Sequence, residues 1–312
     1  MNKISITGAN GFIGNFICKY LASRGKIVHG ISRSKIKSSK NENIKYSIVG
    51  EINSNTNWKK LLIDCECVIH CAGKVHDSNK NELADYQSVN IDGTYQLALQ
   101  ASKLGVRRLI FLSSIKVNGE NTSLGSPFSF NHDAKPKDSY GLSKYMAEKK
   151  LWEISAKSNL EVVIIRLPLV YGYGAKGNLF RLMKLINYGF PLPFKLIKNK
   201  RSLIGIDNLA DVLFHCINHA EASGKTFLIS DGVDLSTCQL IKYMATYMRI
   251  PVRFFPLPIS ILKIIGFIFG KSNEINKLID SLQVDSHHAR KILNWIPPVS
   301  VEEGIKRMVK GK

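Results

Sequence analysis

Residues 3–14, KISITGANGFIG, decide the fold of this chain. A run rich in β-branched residues, typical of a strand, leads through three glycines into apolar residues with helical spacing. Glycine lets such a turn close tightly and lets backbone N–H groups at the positive end of the helix approach a pyrophosphate. The spacing G-x-x-G-x-x-G differs by one residue from the dinucleotide fingerprint G-x-G-x-x-G. We predict a dinucleotide site with first contacts at Gly8, Gly11, Phe12, Ile13 and Gly14.

The first half of the chain alternates strand-like and helix-like segments. Strands are predicted at 26–32, 67–73, 108–114 and 161–168, and helices at about 12–24, 58–62, 86–104 and 140–158. The strands are short and rich in apolar residues, as expected when helices cover both faces of a parallel sheet. The sequence therefore predicts an α/β fold with a Rossmann-type doubly wound parallel sheet.

A looser pattern after residue 170 predicts a smaller, discontinuous α/β lobe in the C-terminal half. Glycines and prolines separate short helical segments there, and two stretches, 202–206 and 226–230, again resemble strands. We predict a dinucleotide-binding domain at 1–168 with a return segment at about 202–230. The substrate-binding lobe is predicted at 169–201 and 231–312.

Composition and charge limit the possible partners. Lys and Arg number 44 against 24 Asp and Glu, a net charge of +20 that favours anionic ligands. The cations are spread along the chain without an Arg-rich block among aromatic residues, so we expect no nucleic-acid partner. Six cysteines without a C-x-x-C pair indicate reduced thiols, and no metal site is predicted. A strand follows Met1 almost directly, without a leader-like segment, so a cytoplasmic location is expected.

One apolar segment, 257–270 (LPISILKIIGFIFG), allows two interpretations. It is shorter than the roughly 20 residues that span a bilayer and it carries Lys263, so no stable membrane insertion is expected. We predict a buried helix of the substrate lobe, with a peripheral membrane anchor as the alternative.

The end of the second predicted strand bears on the choice between NAD and NADP. NAD sites commonly place an acidic side chain there for the ribose hydroxyls, whereas a 2′-phosphate needs a cation and small donors. This chain has Ser32 and Arg33 at that point and no acidic residue. NADP(H) is therefore favoured and NAD(H) remains possible, the alternative for Arg33 being a simple surface position.

A second motif, YGLSK at 140–144, carries the candidate chemistry. Tyr140 and Lys144 are four residues apart on a predicted helix and share one face. An ammonium beside a phenol lowers a pKa that is about 10 in isolation, which suits Tyr140 to acid/base work on a sugar hydroxyl. The strand at 108–114 ends in Ser113 and Ser114, where a hydroxyl can orient the reacting oxygen or simply cap a turn.

Taken together, these motifs resemble the extended short-chain dehydrogenase/reductase family in order and spacing. The resemblance rests on TGANGFIG, VIHCAG, NIDGT, FLSSIKVNG and YGLSK, and continues through IIRLPLVYG, IDNLAD and LQVDSHHARKILNW. It therefore covers essentially the whole chain. The members most similar in pattern are sugar-nucleotide 4-epimerases and 4-reductases.

The resemblance implies roles for individual residues. Ser114 is the expected catalytic serine, with Ser113 as runner-up, Tyr140 the acid/base and Lys144 its partner. The further cofactor contacts that it implies are Ser32, Arg33, Glu51, Ile52, Cys71, Ala72, Gly73 and Pro168. The substrate contacts that it implies are Lys74, Asn90, Ser114, Asn178, Asp285 and Arg201, the last on the UDP diphosphate. Glu51 stands where the family commonly has Asp near the adenine.

Three functions follow from this resemblance. The first is an NADPH-dependent reductase acting at C4 of a UDP-linked 4-keto-6-deoxy-N-acetylhexosamine, in the synthesis of surface polysaccharide. The second is a UDP-glucose or UDP-N-acetylglucosamine 4-epimerase that keeps its NAD bound. The third, a dinucleotide-binding protein without catalysis, is disfavoured by the intact Tyr140 and Lys144. A homodimer is possible.

Overall fold

A seven-stranded parallel sheet forms the centre of the computed structural model, which describes residues 3–36, 41–75 and 83–311. The strands are β1 Lys3–Thr7, β2 Ile27–Ser32, β3 Ile44–Ile48, β4 Cys65–His70, β5 Arg108–Ser114, β6 Glu161–Leu167, β7 Leu169–Tyr171, β8 Leu203–Gly205 and β9 Lys225–Leu228. In the main sheet their order is β3-β2-β1-β4-β5-β6-β9. This is the doubly wound Rossmann-type α/β fold that the sequence predicts.

Helices cover both faces of this sheet. The helices of the described residues are α1 Phe12–Ser23, α2 Leu83–Tyr86, α3 Gly93–Lys103, α4 Ser139–Ser155, α5 Asn178–Asn187, α6 Ile206–Asn218, α7 Thr237–Met248, α8 Ile259–Ile268, α9 Ser272–Ile279, α10 His287–Leu293 and α11 Val301–Lys310. A π-helical segment, Gln87–Asp92, joins α2 to α3. One buried apolar cluster lies between the sheet and α1 and α6, and a second lies between the sheet and α3 and α4. Burial on both faces explains the continuous apolar runs within strands, such as Val68–Ile69 in β4 and Leu109–Leu112 in β5.

Two local predictions of secondary structure are wrong. Residues 58–62 form turns where a helix is predicted. The backbone N–H of the buried Trp58 donates to the side chain of Gln100 in α3, with Oε1 at 2.7 Å. The edge strand β3 lies outside the predicted strands. Its polar Lys45 and Ser47 alternate with larger residues on a half-exposed edge, which leaves a weak strand pattern.

The C-terminal half builds a third apolar cluster from α5, α7, α8 and α11. Within the predicted return segment, β9 pairs with β6 in the main sheet, whereas β8 pairs with β7 in a separate two-stranded sheet. The division into two domains at the predicted boundaries stays a prediction.

The helix predicted at 257–270 is present, but the prediction that it is buried is wrong. A helix forms, as α8, but within it only Leu262 and Gly266 are buried, while Phe267 is 80% exposed. The segment is apolar on every side, so its sequence does not reveal which face meets the protein. Of the helices that the structure describes, none is long and apolar enough to cross a membrane.

Candidate active site

The glycine turn after β1 packs directly against the turn after β4. Gly8 has φ +69°, and a Cβ on it would lie 2.9 Å from the backbone N of Ala72. A Cβ on Gly14 would lie 2.3 Å from the Gly8 carbonyl oxygen. Any side chain at either position would force these backbones apart, so the turn keeps a surface of bare backbone at the start of α1. This fits the pyrophosphate cradle predicted from the sequence.

The remaining predicted cofactor residues also follow strand ends at the carboxyl edge of the sheet. Ser32 ends β2, Ile52 comes after β3, Cys71 follows β4 and Pro168 follows β6. Because these strands are adjacent in the order 3-2-1-4-5-6, the residues form a continuous edge along the sheet. Ligands of open α/β sheets bind at such an edge.

A cavity of about 150 Å³ opens at this edge beside β4, β5 and β6. Its walls contain eight of the predicted site residues together with five apolar or small neighbours. The residues lining it are Ile13, Cys71, Gly73, Lys74, Val75, Leu112, Ser113, Ser114, Tyr140, Lys144, Leu167, Pro168 and Val170. The three predicted catalytic residues thus share one cavity with the turns predicted to hold the cofactor.

Tyr140 stands in the first turn of α4. Asp138 caps this helix, because its carboxylate accepts a hydrogen bond from Gly141 N over 2.7 Å, and it also pairs with Lys116. Removal of the Tyr140 hydroxyl from water raises its pKa, with further contributions from the charge of Asp138 and from Tyr86, while a hydrogen bond with Ser114 lowers it. The prediction from the sequence, a pKa below the ordinary value, is wrong in direction, because burial has the largest effect on this phenol. The neutral phenol is therefore favoured, and a positive charge nearby is needed before Tyr140 can accept a proton.

Lys144 lies one helical turn further on and is buried. Its Nζ donates to the carbonyl oxygen of Leu112 over 3.0 Å and lies 4.5 Å from the ring centroid of Phe111. Burial lowers the pKa of Lys144 to about 8. The ammonium therefore loses its proton close to physiological pH, which is typical of lysines in functional sites.

The two adjacent serines have different surroundings. The Ser113 hydroxyl donates to Glu148 Oε1 over 2.5 Å, and the Glu148 carboxylate pairs with Arg166 over 2.6 Å. Ser114 instead interacts with Tyr140 and caps the short 3₁₀ turn that follows, accepting from Lys116 N over 3.2 Å. Ser113 thus belongs to a buried ion-pair network, and Ser114 is the serine that faces the candidate chemistry.

Asn90, predicted as a substrate contact, has partners within the protein, and its contact with a substrate stays a prediction. It is buried, its Oδ1 accepts from Lys74 N over 2.7 Å, and its Nδ2 donates to the Lys74 carbonyl and to Ser143 Oγ. Both ends of the amide are therefore occupied in holding the turn after β4 against α4. Asn90 is a positioning residue in this structure.

A second positioning group, centred on His70, was not predicted. Its Nδ1 lies 2.6 Å from Thr7 Oγ1 and its Nε2 lies 3.0 Å from Thr94 Oγ1, while Thr7 Oγ1 also accepts from Ala72 N. Burial and the charge of Lys144 lower the pKa of His70 to about 3, so the ring is neutral. Polar residues at the ends of two otherwise apolar strands are the sequence feature that could have indicated it.

The residues around the predicted ribose and adenine contacts are more open. Arg33 and Glu51 are exposed, Ile52 is buried, and the Ser32 hydroxyl donates to the Ser34 carbonyl. Within the described parts of the chain, no carboxylate lies within ion-pair distance of Arg33. The guanidinium is therefore available to an anionic group at the end of β2.

Three predicted substrate contacts lie away from the cavity. Asn178 begins α5, Asp285 accepts from His287 N over 2.8 Å, and the partly buried Arg201 donates to the Asp280 carbonyl over 3.0 Å. Burial lowers the pKa of Arg201. These residues belong to the C-terminal half, so their contact with a substrate in the cavity stays a prediction.

Comparison with known proteins agrees with this geometry. Residues 4–230 match the model of the NAD dependent epimerase/dehydratase family. A UDP-glucose 4-epimerase of Vibrio cholerae is 41% identical over 310 residues, covering 98% of this chain and 94% of the relative.

Solved structures share the fold at lower identity. A UDP-glucuronic acid 4-epimerase from Bacillus cereus in complex with NAD superposes with a TM-score of 0.78 at 21% identity, over 99% of this chain and 97% of the other. A UDP-glucose 4-epimerase from Thermotoga maritima with UDP-glucose gives 0.77 at 21% identity, over 99% and 97%. The chain is an enzyme of the NAD-dependent epimerase/dehydratase family, within the extended short-chain dehydrogenases/reductases.

Proposed function

We propose that this chain is a UDP-hexose 4-epimerase. The observation that carries the proposal is the meeting of Ser114, Tyr140 and Lys144 in one cavity beside the glycine turn of β1. The 41% identical relative, named as a UDP-glucose 4-epimerase, favours this function over the 4-keto reductase predicted first from the sequence. A soluble nucleotide sugar as substrate also suits the predicted cytoplasmic location.

Each catalytic residue has a task that its surroundings permit. A nicotinamide dinucleotide, when bound, would supply the carrier for a hydride removed from C4 of the sugar and given back to the opposite face. Tyr140, as the phenolate, accepts the proton of the C4 hydroxyl when the hydride leaves and returns it to the C4 oxygen when the hydride comes back. Ser114, in contact with Tyr140, orients that oxygen. Lys144 keeps a positive charge beside the reacting groups, where it stabilises the phenolate form of Tyr140 that accepts this proton.

The diphosphate of the substrate requires a cation, and Arg201 is proposed for it. The side chain is partly buried, and no carboxylate of the described residues lies within ion-pair distance. Such a guanidinium gains from an anionic partner that can take two hydrogen bonds. Asn178, Asp285 and Lys74 are proposed as further contacts around the same ligand.

The 4-keto-hexosamine reductase is the second candidate, and Arg33 favours it. A reductase needs fresh NADPH in each cycle, and Arg33 is exposed at the end of β2 without a carboxylate partner among the described residues. A charge-assisted contact with the 2′-phosphate is worth ~1.5–3 kcal/mol, on the order of tenfold to a hundredfold in affinity. We propose that Arg33→Ala removes most of any preference for NADPH.

Two parallel reactions distinguish the candidates. The protein is mixed with UDP-glucose or UDP-N-acetylglucosamine without added cofactor, and separately with a UDP-4-keto-6-deoxy sugar and NADPH. An epimerase equilibrates the first mixture with the C4 epimer and oxidises no NADPH in the second. Stoichiometric oxidation of NADPH, with no epimer formed, would replace the epimerase by the reductase.

A further inference from the structure

Helix α8 presents an apolar face to solvent, whereas the apolar face of a core helix is buried. The exposed fractions are 58% for Ile264, 80% for Phe267, 69% for Ile268 and 72% for Phe269. We call these four residues, with Ile261, the α8 surface. Positions 261, 264 and 268 lie three and four residues apart and so form a stripe along one side of the helix.

The opposite side of α8 is already covered. Leu262 and Gly266, four residues apart, are the buried positions, and a Cβ on Gly266 would lie 2.8 Å from Ile275 Cγ1 of α9. Helix α9 therefore packs on the face opposite the stripe. The α8 surface is left without a partner on the described part of this chain.

A second exposed apolar segment lies beside the start of α8. Leu192 N donates to the carbonyl of Arg253 over 2.8 Å, and Phe255 N donates to the carbonyl of Leu192 over 3.0 Å. This pairing places the exposed Phe190 and Leu196 next to the exposed Phe255. Exposed apolar residues are thus found both on α8 and in the segment that leads into it, and large exposed apolar surfaces mark interaction sites.

The charge of the same region has a single sign. Segments 188–200 and 248–273 contain no Asp or Glu, and they carry the seven cations Lys195, Lys198, Lys200, Arg249, Arg253, Lys263 and Lys271. The first acidic residue at the border is Glu274, which lies 4.0 Å from Lys271 and 3.5 Å from Arg181. The chain segments that carry the exposed apolar residues therefore carry positive charge only.

We propose that the α8 surface docks on the surface of an anionic lipid bilayer, lying among the headgroups without spanning the membrane. Exposed Phe and Ile flanked by Lys and Arg match what such an interface offers, since apolar groups enter the acyl boundary while cations meet anionic headgroups. A second copy of this chain fits less well. A two-fold contact through the same face would bring two sets of cations together.

Flotation with lipid vesicles tests the proposal on the full chain. Vesicles are made of phosphatidylcholine alone or of an equal mixture with phosphatidylglycerol. We expect the protein to float with the anionic vesicles and to be released by high salt, because screening weakens the attraction. The triple variant Phe267→Ser, Ile268→Ser, Phe269→Ser should lose binding by about tenfold or more.

A matched control separates this surface from general stickiness. The variant Ile48→Ser, Leu124→Ser, Ile296→Ser also removes three exposed apolar side chains, at positions 58%, 60% and 79% exposed, but far along the chain from α8. It should bind vesicles as the unmodified chain does. The variant Arg253→Gln, Lys263→Gln should weaken binding to anionic vesicles only. Thermal unfolding and turnover of soluble UDP-sugar show that each variant is folded.

Other results would overturn the proposal. No flotation with anionic vesicles, or equal loss in both triple variants, excludes a lipid-specific surface at α8. A wild-type dimer in sedimentation that becomes monomeric only in the α8 triple variant, without vesicle binding, would assign this surface to a second copy. Vesicle binding is measured independently of turnover, so failure of the proposed epimerase activity leaves this test intact.

Discussion

The carboxyl edge of the sheet and the α8 surface depart from ordinary burial in opposite ways. At the edge, ionisable groups are buried, and each has a partner: Lys144 on the Leu112 carbonyl, Glu148 on Arg166, His70 between two threonines. At α8, large apolar groups are exposed and none of the described residues covers them. Buried polar groups with partners indicate a site whose geometry is fixed within the protein, whereas exposed apolar groups indicate a partner outside it.

The largest effect is expected at Tyr140. Tyr140→Phe removes only the transferable proton, so turnover should fall about a thousandfold, within the range of general acid–base catalysis, while the melting temperature and cofactor affinity stay the same. Steady-state kinetics and thermal unfolding measure both. Tyr145→Phe on the same helix is the matched control and should retain turnover. A Tyr140→Phe enzyme at near-native rate would remove this residue from the mechanism.

Substitution of each of the two serines should separate an effect on catalysis from an effect on stability. Ser114→Ala should lower kcat by about tenfold to a hundredfold with little change in stability, because its hydroxyl faces Tyr140. Ser113→Ala should cost about 1.5–3 kcal/mol of unfolding free energy, because Glu148 loses a hydrogen bond, with little change in kcat. Denaturant unfolding and kinetics of both variants decide the matter. The reverse pattern would make Ser113 the functional serine.

Activity should fall at high pH because of Lys144. Burial lowers its pKa to about 8, so the ammonium is present below pH 8 and is lost as pH rises. We expect kcat/KM to decrease about tenfold per pH unit above that value. For stability the sign is opposite: between about pH 8 and the ordinary lysine pKa of 10.5 the unfolded chain binds the extra proton, so stability rises with pH. Lys149→Gln, at an exposed position, should leave the pH profile unchanged.

The smallest effect is expected on turnover when the α8 surface is changed. The triple serine variant at 267–269 removes exposed side chains that do not line the catalytic cavity. Its kcat on soluble UDP-sugar should stay within about twofold of the unmodified chain. A large loss would show that α8 is coupled to the carboxyl edge and would end the contrast between the two regions.

The sequence predicts those features of the fold that depend on local chemistry. The glycine turn and the Tyr140–Lys144 spacing are local, because bare backbone and helical periodicity are properties of neighbouring residues. The remaining features depend on contacts with residues that are distant in the sequence. The turns at 58–62 depend on Gln100, more than forty residues away, and the choice between Ser113 and Ser114 depends on Glu148. Ser113 and Ser114 are adjacent strand residues whose side chains face opposite sides of the sheet. The sequence therefore indicates both as candidates and does not decide which one faces Tyr140.

The exposure of α8 could not be predicted from the sequence, for a related reason. A helix that is apolar all round is typical of a buried element. Which side is covered depends on α9, whose Ile275 packs on Gly266, and on the absence of any other cover within the described residues. Asn90 is a similar case, because only the fold shows that its amide is occupied by the Lys74 backbone.

The central claim is reversible hydride transfer at C4 with Tyr140 as the acid/base, and isotope retention tests it most directly. UDP-glucose carrying deuterium at C4 is incubated with the protein, and the sugar products are analysed by NMR. We predict UDP-galactose that retains deuterium at C4, formed by the unmodified chain and essentially absent with Tyr140→Phe. An epimer whose C4 deuterium has been replaced by hydrogen from solvent would contradict hydride transfer at this site.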